Sequence, residues 1–282
     1  MKFGVSLWLW TSPVTNEVIE NYAPKIAELG FDTVELPLED PAALDCKKAR
    51  EVIEENGLTL TTCAAMGGGR DLIHPDKSVR DEGIQYMKDS LDAAEELGSR
   101  LFVGPLASEV GRLWQTDEDQ REKETTLLVS QLNEVAEYAE KKNITICLEA
   151  LNRFETSFLN LTSQVNEVIK RVDHPSCKAM IDLFHAGIEE KNLGDAIREA
   201  GENLHHLQVA ENDRGTPGTG QFDWNEIAIA LKEIGYNGHV IIETFSPDNE
   251  LLAKAAAIWR PLAESPDILA KDGLRFIKKL LG

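Results

Sequence analysis

Short runs of apolar, strand-type residues recur along the chain, and longer stretches with helical spacing separate them. The runs lie at Lys2 to Trp10, Phe31 to Leu36, Leu58 to Ala65, Arg100 to Val103, Ile144 to Glu149, Cys177 to Asp182, Leu204 to Glu211 and Gly238 to Glu243. Amphipathic spacing predicts helices over Asn16 to Leu29, Pro41 to Asn56, Asp76 to Leu97, Glu118 to Lys142, Thr162 to Val172, Leu193 to Ala200 and Trp224 to Ile234. Two further helices, Glu250 to Trp259 and Pro266 to Leu281, close the chain. Gly30, Gly57 and Gly98 stand where three of these helices should stop, a position that favours glycine because the chain turns left-handed there.

Eight strands that alternate with helices, with no linker or shift in composition, predict one (β/α)8 TIM barrel of α/β class over residues 1–282. A doubly wound open sheet is the competing arrangement, but the glycine fingerprint of dinucleotide binding is missing after the first strand. Gly67 to Gly69 does not follow a phosphate-loop pattern either and reads as a flexible connection. The stretch from Leu106 to Asp117, which carries Trp114, is long enough for a functional loop.

Charge narrows the partners. A net charge of −20 and a pI near 4.7 argue against a nucleic-acid or anionic membrane surface as partner. No apolar run reaches the ~18 residues of a membrane span. The four cysteines, Cys46, Cys63, Cys147 and Cys177, form no C-x-x-C pair and are expected to be buried free thiols. With no signal-peptide pattern at the start, a cytoplasmic protein is the expectation.

Three strands end in an acid: Glu149, Asp182 and Glu243. In a barrel the C-terminal ends of all strands converge on one mouth, so these three should meet. Three carboxylates in one pocket repel unless a divalent cation lies among them. The seventh strand should add a fourth group from His205, His206, Gln208 and Glu211. Strand alternation puts His206 and Gln208 on one face, with Gln208 nearer the mouth. A shell of three carboxylates and the Gln208 amide oxygen suits Mn²⁺ or Mg²⁺, with Co²⁺ also compatible. With His206 as the ligand the preference moves towards cobalt or zinc. His185 lies just past Asp182, and Arg214 on the loop after the seventh strand could hold substrate hydroxyls. Trp8 and Trp114 could stack on a sugar face, although core packing explains Trp8 equally well. A divalent ion at a carbonyl and its neighbouring hydroxyl acidifies the intervening proton and stabilises an enediolate. Two bases on opposite faces then give epimerisation, whereas one shuttling base gives aldose–ketose isomerisation.

Several spaced motifs resemble the D-tagatose 3-epimerase (D-psicose, or D-allulose, 3-epimerase) family of the xylose-isomerase-like barrel group. They are Glu-x-x-Asn-Arg-Phe-Glu at 149–155, Asp-x-Phe-His at 182–185, Ile-Glu-Glu at 188–190, the segment Glu211 to Arg214 with Pro217-Gly-x-Gly220, and Asp223-Trp224. The resemblance extends to His74 through Arg80 and to Trp259-Arg260. It implies a barrel with one Mn²⁺ or Co²⁺, Glu149 and Glu243 as ligands and acid/base pair, and Asp182 as ligand. It casts Glu155, His185 and Arg214 as substrate contacts. The family usually has histidine at the position of Gln208, and His206 matches a second family histidine that is not the usual ligand. Ser6 stands where the family often packs an aromatic residue near the sugar, so Ser6 and Trp114 join the candidate substrate contacts.

The resemblance also implies a homo-oligomer, a dimer or a tetramer. The expected activity is a metal-dependent 3-epimerase of an unphosphorylated ketose of the D-tagatose, D-fructose/D-psicose or L-ribulose class. An isomerase or dehydratase of hydroxypyruvate isomerase or inosose dehydratase type is the alternative on the same scaffold. A zinc-dependent DNA repair endonuclease fits poorly with six histidines and the strongly acidic balance, and both glutamates argue against a sugar-binding protein without turnover.

Overall fold

A computed structural model describes residues 1–282. Eight parallel strands close into a barrel in sequence order: β1 (Lys2–Ser6), β2 (Thr33–Pro37), β3 (Thr59–Cys63), β4 (Leu101–Gly104), β5 (Thr145–Leu148), β6 (Cys177–Asp182), β7 (Leu204–Val209) and β8 (His239–Ile242). Closure is made by β1, whose Val5 pairs with Val34 of β2 on one side and Ile242 of β8 on the other. Parallel neighbours need a crossover, and helices supply it: α1 (Asn16–Leu29), α2 (Cys46–Glu55), α3 (Lys77–Leu97), α4 (Glu118–Lys141), α5 (Thr162–Val172), α6 (Leu183–Glu189), α7 (Leu193–Ala200), α8 (Trp224–Glu233), α9 (Glu250–Ala255) and α10 (Pro266–Leu281).

Side-chain oxygens at the helix starts explain where the crossovers begin. Thr15, Asp76, Asp117, Asn192, Asp223 and Ser265 each accept a bond from a backbone N–H of the following turn. Gly30 and Gly98 end α1 and α3 in left-handed geometry. Apolar faces of the helices and the outward faces of the strands form the main core, with Val5, Ile26, Leu36, Phe102, Ile146 and Leu207 among its buried members. A smaller cluster of Cys63, Leu101, Val103, Cys147 and Met180 packs separately from it. All four cysteines are buried and unpaired, and burial raises the thiol of each.

The structure corrects four expected boundaries. The first strand stops at Ser6 rather than Trp10, because the Ser6 hydroxyl accepts from Trp8 N and starts a 3-10 turn over Leu7–Leu9. The helix expected from Pro41 to Asn56 is two pieces, since Asp40 caps a 3-10 turn at Pro41–Ala43 and Asp45 caps α2 separately. The short α6 was not expected: Asp182, read as the end of a strand, is also its N-cap and accepts from Phe184 N at 2.9 Å. The helix expected to reach Trp259 ends at Ala255.

Gly104 is required where β4 meets the mouth. Its φ is +132°, and a Cβ there would lie 2.1 Å from the Ala64 carbonyl oxygen. Only a residue without a side chain lets β3 and β4 approach this closely.

Candidate active site at the barrel mouth

The strand ends deliver the acids as one group. Glu149 follows β5 directly, and its N–H donates to the Gly104 carbonyl at 3.0 Å. Asp182 ends β6, and Gln208 is its register partner on β7. Glu243 follows β8, with its N–H donating to Val209 O at 3.2 Å. All four side chains are buried. Ligand atoms of Glu149, Asp182 and His185 lie within 4.8 Å of one another.

Arg214 reaches into this group from the loop after β7. Its backbone is left-handed, with φ at 65°, and is held by its N–H to Glu211 O and by the Thr244 hydroxyl donating to its carbonyl. Nη1 donates to Asp182 Oδ2 at 2.5 Å and to Glu243 Oε2 at 3.1 Å. The guanidinium lies 4.3 Å from the Phe184 ring and 5.2 Å from that of Phe245. These aromatic contacts fix the plane in which its donors are presented.

His185 is oriented by Asn152. The Asn152 backbone N–H donates to Nδ1, and Asn152 Nδ2 lies 2.7 Å from the same atom. Both neighbours are donors, so Nδ1 accepts from them, and Nε2 lies 3.0 Å from Arg214 Nη2, which is also a donor. Nε2 faces Asp182 at 3.5 Å and Glu149 at 3.7 Å. Burial, followed by the Arg214 charge, holds His185 well below its usual pKa, which keeps the ring neutral. Asn152 also donates to Glu155 Oε1 at 2.9 Å, which ties Glu155 to the same wall.

The electrostatics follow from burial. Burial raises Glu149 well above the usual carboxylate range, and the Asp182 and Glu243 charges raise it further. Burial likewise raises Asp182 against the pull of Arg214. Glu243 is pushed up to about 8 by burial, only partly countered by Arg214. Such a group resists ionisation until a further positive charge arrives. Gln208 Oε1 is buried with no hydrogen-bond partner. Three carboxylates beside an unsatisfied amide oxygen form a donor set that fits a hard divalent cation.

The cavity over these groups has a volume of about 170 Å³. Glu149, Glu155, His185, Arg214 and Glu243 make its polar side, and Trp8, Pro105, Val110, Leu151, Phe245 and Leu252 its apolar side. Ser6 and Trp114 do not line it. Ser6 is fully buried beneath the 3-10 turn, and Trp114 is half exposed, stacked 4.4 Å from the Arg112 guanidinium. The ring that faces the cavity from the first segment is Trp8. Its Nε1 donates to Glu39 Oε1 at 3.2 Å, and Glu39 is held in turn by Val14 N and the Ser12 hydroxyl.

The other β7 candidates point elsewhere. His206 is fully buried with Nε2 2.8 Å from Glu35 Oε2, and His205 lies on the opposite face. Glu211 accepts from Trp224 Nε1 at 2.6 Å and Gly218 N at 2.8 Å, so it staples the loop that carries Arg214. Sequence reasoning assigned no role to Asn152 or Glu35. An acid inside the apolar strand Thr-Val-Glu-Leu-Pro at 33–37 was the available signal for Glu35.

Comparison with known proteins agrees with this geometry. Residues 23–280 match the family model for the xylose isomerase-like TIM barrel. The D-psicose 3-epimerase of Ruminiclostridium cellulolyticum is 33% identical over 95% of this chain and 92% of its own. A probable ketose 3-epimerase of Synechocystis is 31% identical over 99% of this chain and 96% of its own. Among solved structures, D-psicose 3-epimerase from Clostridium cellulolyticum H10 with D-tagatose superposes with a TM-score of 0.90 at 31% identity, covering 100% of this chain and 99% of its own. D-allulose 3-epimerase from Methylomonas sp. in complex with D-allulose gives 0.92 at 25% identity, covering 99% of this chain and 97% of its own. The chain therefore belongs to the D-tagatose/D-psicose 3-epimerase family of xylose isomerase-like TIM barrels, a family of sugar epimerases.

Proposed function

We propose that the protein is a divalent-metal-dependent ketose 3-epimerase that inverts C3 of an unphosphorylated ketose of the D-tagatose, D-psicose/D-fructose or L-ribulose class. The observation that carries this reading is the pair of buried glutamates, Glu149 after β5 and Glu243 after β8, both bordering one small cavity with their carboxyls held high. One member removes the C3 proton and the other returns a proton to the opposite face. Glu149, Asp182, Glu243 and the Gln208 amide oxygen would hold the ion, for which Mn²⁺ is the best match and Co²⁺ or Mg²⁺ are alternatives. A bound divalent cation would polarise the ketose carbonyl and stabilise the charge that develops on deprotonation. Arg214, His185 and Glu155 supply the polar groups that orient substrate hydroxyls.

The test is turnover in heavy water with Mn²⁺ present. Incubation with D-tagatose, D-fructose, D-psicose and L-ribulose should give C3-inverted products with deuterium at C3, read by NMR. Carbonyl migration or loss of water instead, without C3 inversion, would transfer the assignment to an isomerase or dehydratase of the same scaffold.

We also propose a homo-oligomer. Leu113, Trp114 and Phe154 are exposed at 55%, 51% and 70%, on two segments joined by the Arg112–Thr156 bridge beside the mouth. An apolar surface of this kind suits contact with a second copy. Light scattering should give a mass at least twice 31.3 kDa, and a monomer at micromolar concentration would end this proposal.

A further inference from the structure

We infer that Glu35 is a positioning residue that fixes which end of the Gln208 amide faces the metal site. The inference rests on the reading of this mouth as a metal centre. It concerns a residue on β2, outside the set of strand-end acids.

Gln208 Nε2 lies 2.7 Å from Glu35 Oε1 and 3.0 Å from Glu243 Oε1. Both carboxyl oxygens accept from the NH₂ end of the amide, and the shorter of the two bonds is to Glu35. Turning the amide over would set its carbonyl oxygen against the acceptor oxygen of Glu35 at 2.7 Å. Oε1 is therefore left as the pole that faces away from both, buried and without a partner. A buried acceptor of this kind is costly unless something binds it.

Glu35 is equipped to impose that polarity. It is fully buried, and two groups meet it besides Gln208: Thr61 donates to Oε2 at 3.0 Å, and His206 Nε2 lies 2.8 Å from the same oxygen. Its two oxygens are thus both engaged, Oε1 by Gln208 and Oε2 by Thr61 and His206. His206 thus acts one step further back, through Glu35. An amide, unlike an imidazole, offers a donor and an acceptor that are nearly the same shape, so it needs a neighbour to choose between them. Glu35 makes that choice for Gln208.

A double-mutant cycle on the full-length protein tests this. Mn²⁺ binding to chelator-stripped protein is read by calorimetry and by the electron paramagnetic resonance signal of free Mn²⁺, with thermal unfolding of the stripped proteins as the check on folding. In Glu35→Gln the new carboxamide can donate as well as accept, so Gln208 loses its fixed orientation. Mn²⁺ Kd is expected to weaken by about 10- to 100-fold, the usual effect of losing an outer-shell partner. In Gln208→Leu the ligand itself is gone, and adding Glu35→Gln to it should change Kd by less than about twofold. Equal losses from Glu35→Gln in both backgrounds would show a merely structural role and overturn the inference, as would an unchanged Kd in the single variant. Should Glu35→Gln fail to fold, Thr61→Val decides: a Kd weakened more than about twofold upholds the inference, and an unchanged Kd overturns it. The readout is metal binding, so the two readings separate. Wild-type protein that binds Mn²⁺ yet epimerises no ketose would remove the proposed reaction and leave the role of Glu35 standing. Normal epimerisation with a Kd indifferent to residue 35 would do the reverse.

Discussion

Glu149 and Glu243 differ from ordinary strand-end acids in that burial raises both carboxyls, and the Asp182 charge raises each further. If one is base and the other acid, neither can be spared. Glu149→Gln and Glu243→Gln should each lower kcat by about 10²- to 10⁴-fold, measured as C3 inversion with saturating Mn²⁺. A loss below tenfold in either would remove that residue from proton transfer. Trp8 makes a different contribution, since it touches the cavity only through ring surface. Trp8→Ala should raise KM by about tenfold and leave kcat within about threefold, because uniform binding is lost rather than interactions special to the transition state. The acids were legible in the sequence because each is a charge at the end of an apolar strand. Trp8 was legible only as a choice between sugar stacking and core packing, because its direction is set by the Ser6 cap and the Glu39 hydrogen bond, and neither leaves a trace in hydrophobic periodicity. Asn152 sat inside a recognisable motif, but its role depends on which nitrogen of His185 carries the proton, a matter of three-dimensional contact.

At the scale of elements, strand ends and helix starts share residues. Asp182 ends β6 and caps α6, and Gly104 ends β4 and accepts from the Glu149 N–H. Gly104→Ala should therefore destabilise the fold by about 1–3 kcal/mol through strain and crowding, read as a lower midpoint in urea. It should also weaken Mn²⁺ binding through displaced Glu149, and an unchanged midpoint would show that the β3–β4 approach is looser than the structure describes. Element order and barrel closure were readable because alternation of the two periodicities is strong over whole segments. The errors fell on short pieces, the Leu7–Leu9 and Pro41–Ala43 turns and α6, where one side-chain cap outweighs a pattern too brief to carry a period.

Across the whole molecule the acid cluster links protonation to stability. Glu149, Asp182 and Glu243 all have folded-state pKa values above their unfolded ones, Glu243 at about 8. A raised carboxyl means the folded chain binds more protons than the unfolded chain, so this cluster's contribution declines as pH rises from the unfolded carboxylate range towards 8. The metal-stripped protein should accordingly melt at a lower temperature at pH 8 than at pH 5. Mn²⁺ at about one hundred times its Kd should add about 2.7 kcal/mol at pH 8, seen calorimetrically as a rise on the order of 5 °C. A melting temperature that is flat with pH and indifferent to Mn²⁺ would contradict both the cluster's electrostatics and its role as a cation site. No helix is long and apolar enough to cross a membrane, which agrees with the sequence.

The seam between β1 and β8 has a consequence for how the molecule comes into being. Val5 waits for Ile242, so the ring stays open until nearly all of the chain has left the ribosome. Every strand-end group of the mouth, Glu149, Asp182, Gln208 and Glu243, belongs to the later-made half, whereas Glu35 and Thr61 are made early. The nascent protein thus carries Glu35 and Thr61 long before the Gln208 amide that Glu35 meets. Contacts this distant along the chain also make closure slow relative to the local helices. The last strand both shuts the barrel and delivers Glu243, so a chain interrupted before it has neither a closed ring nor a complete acid cluster.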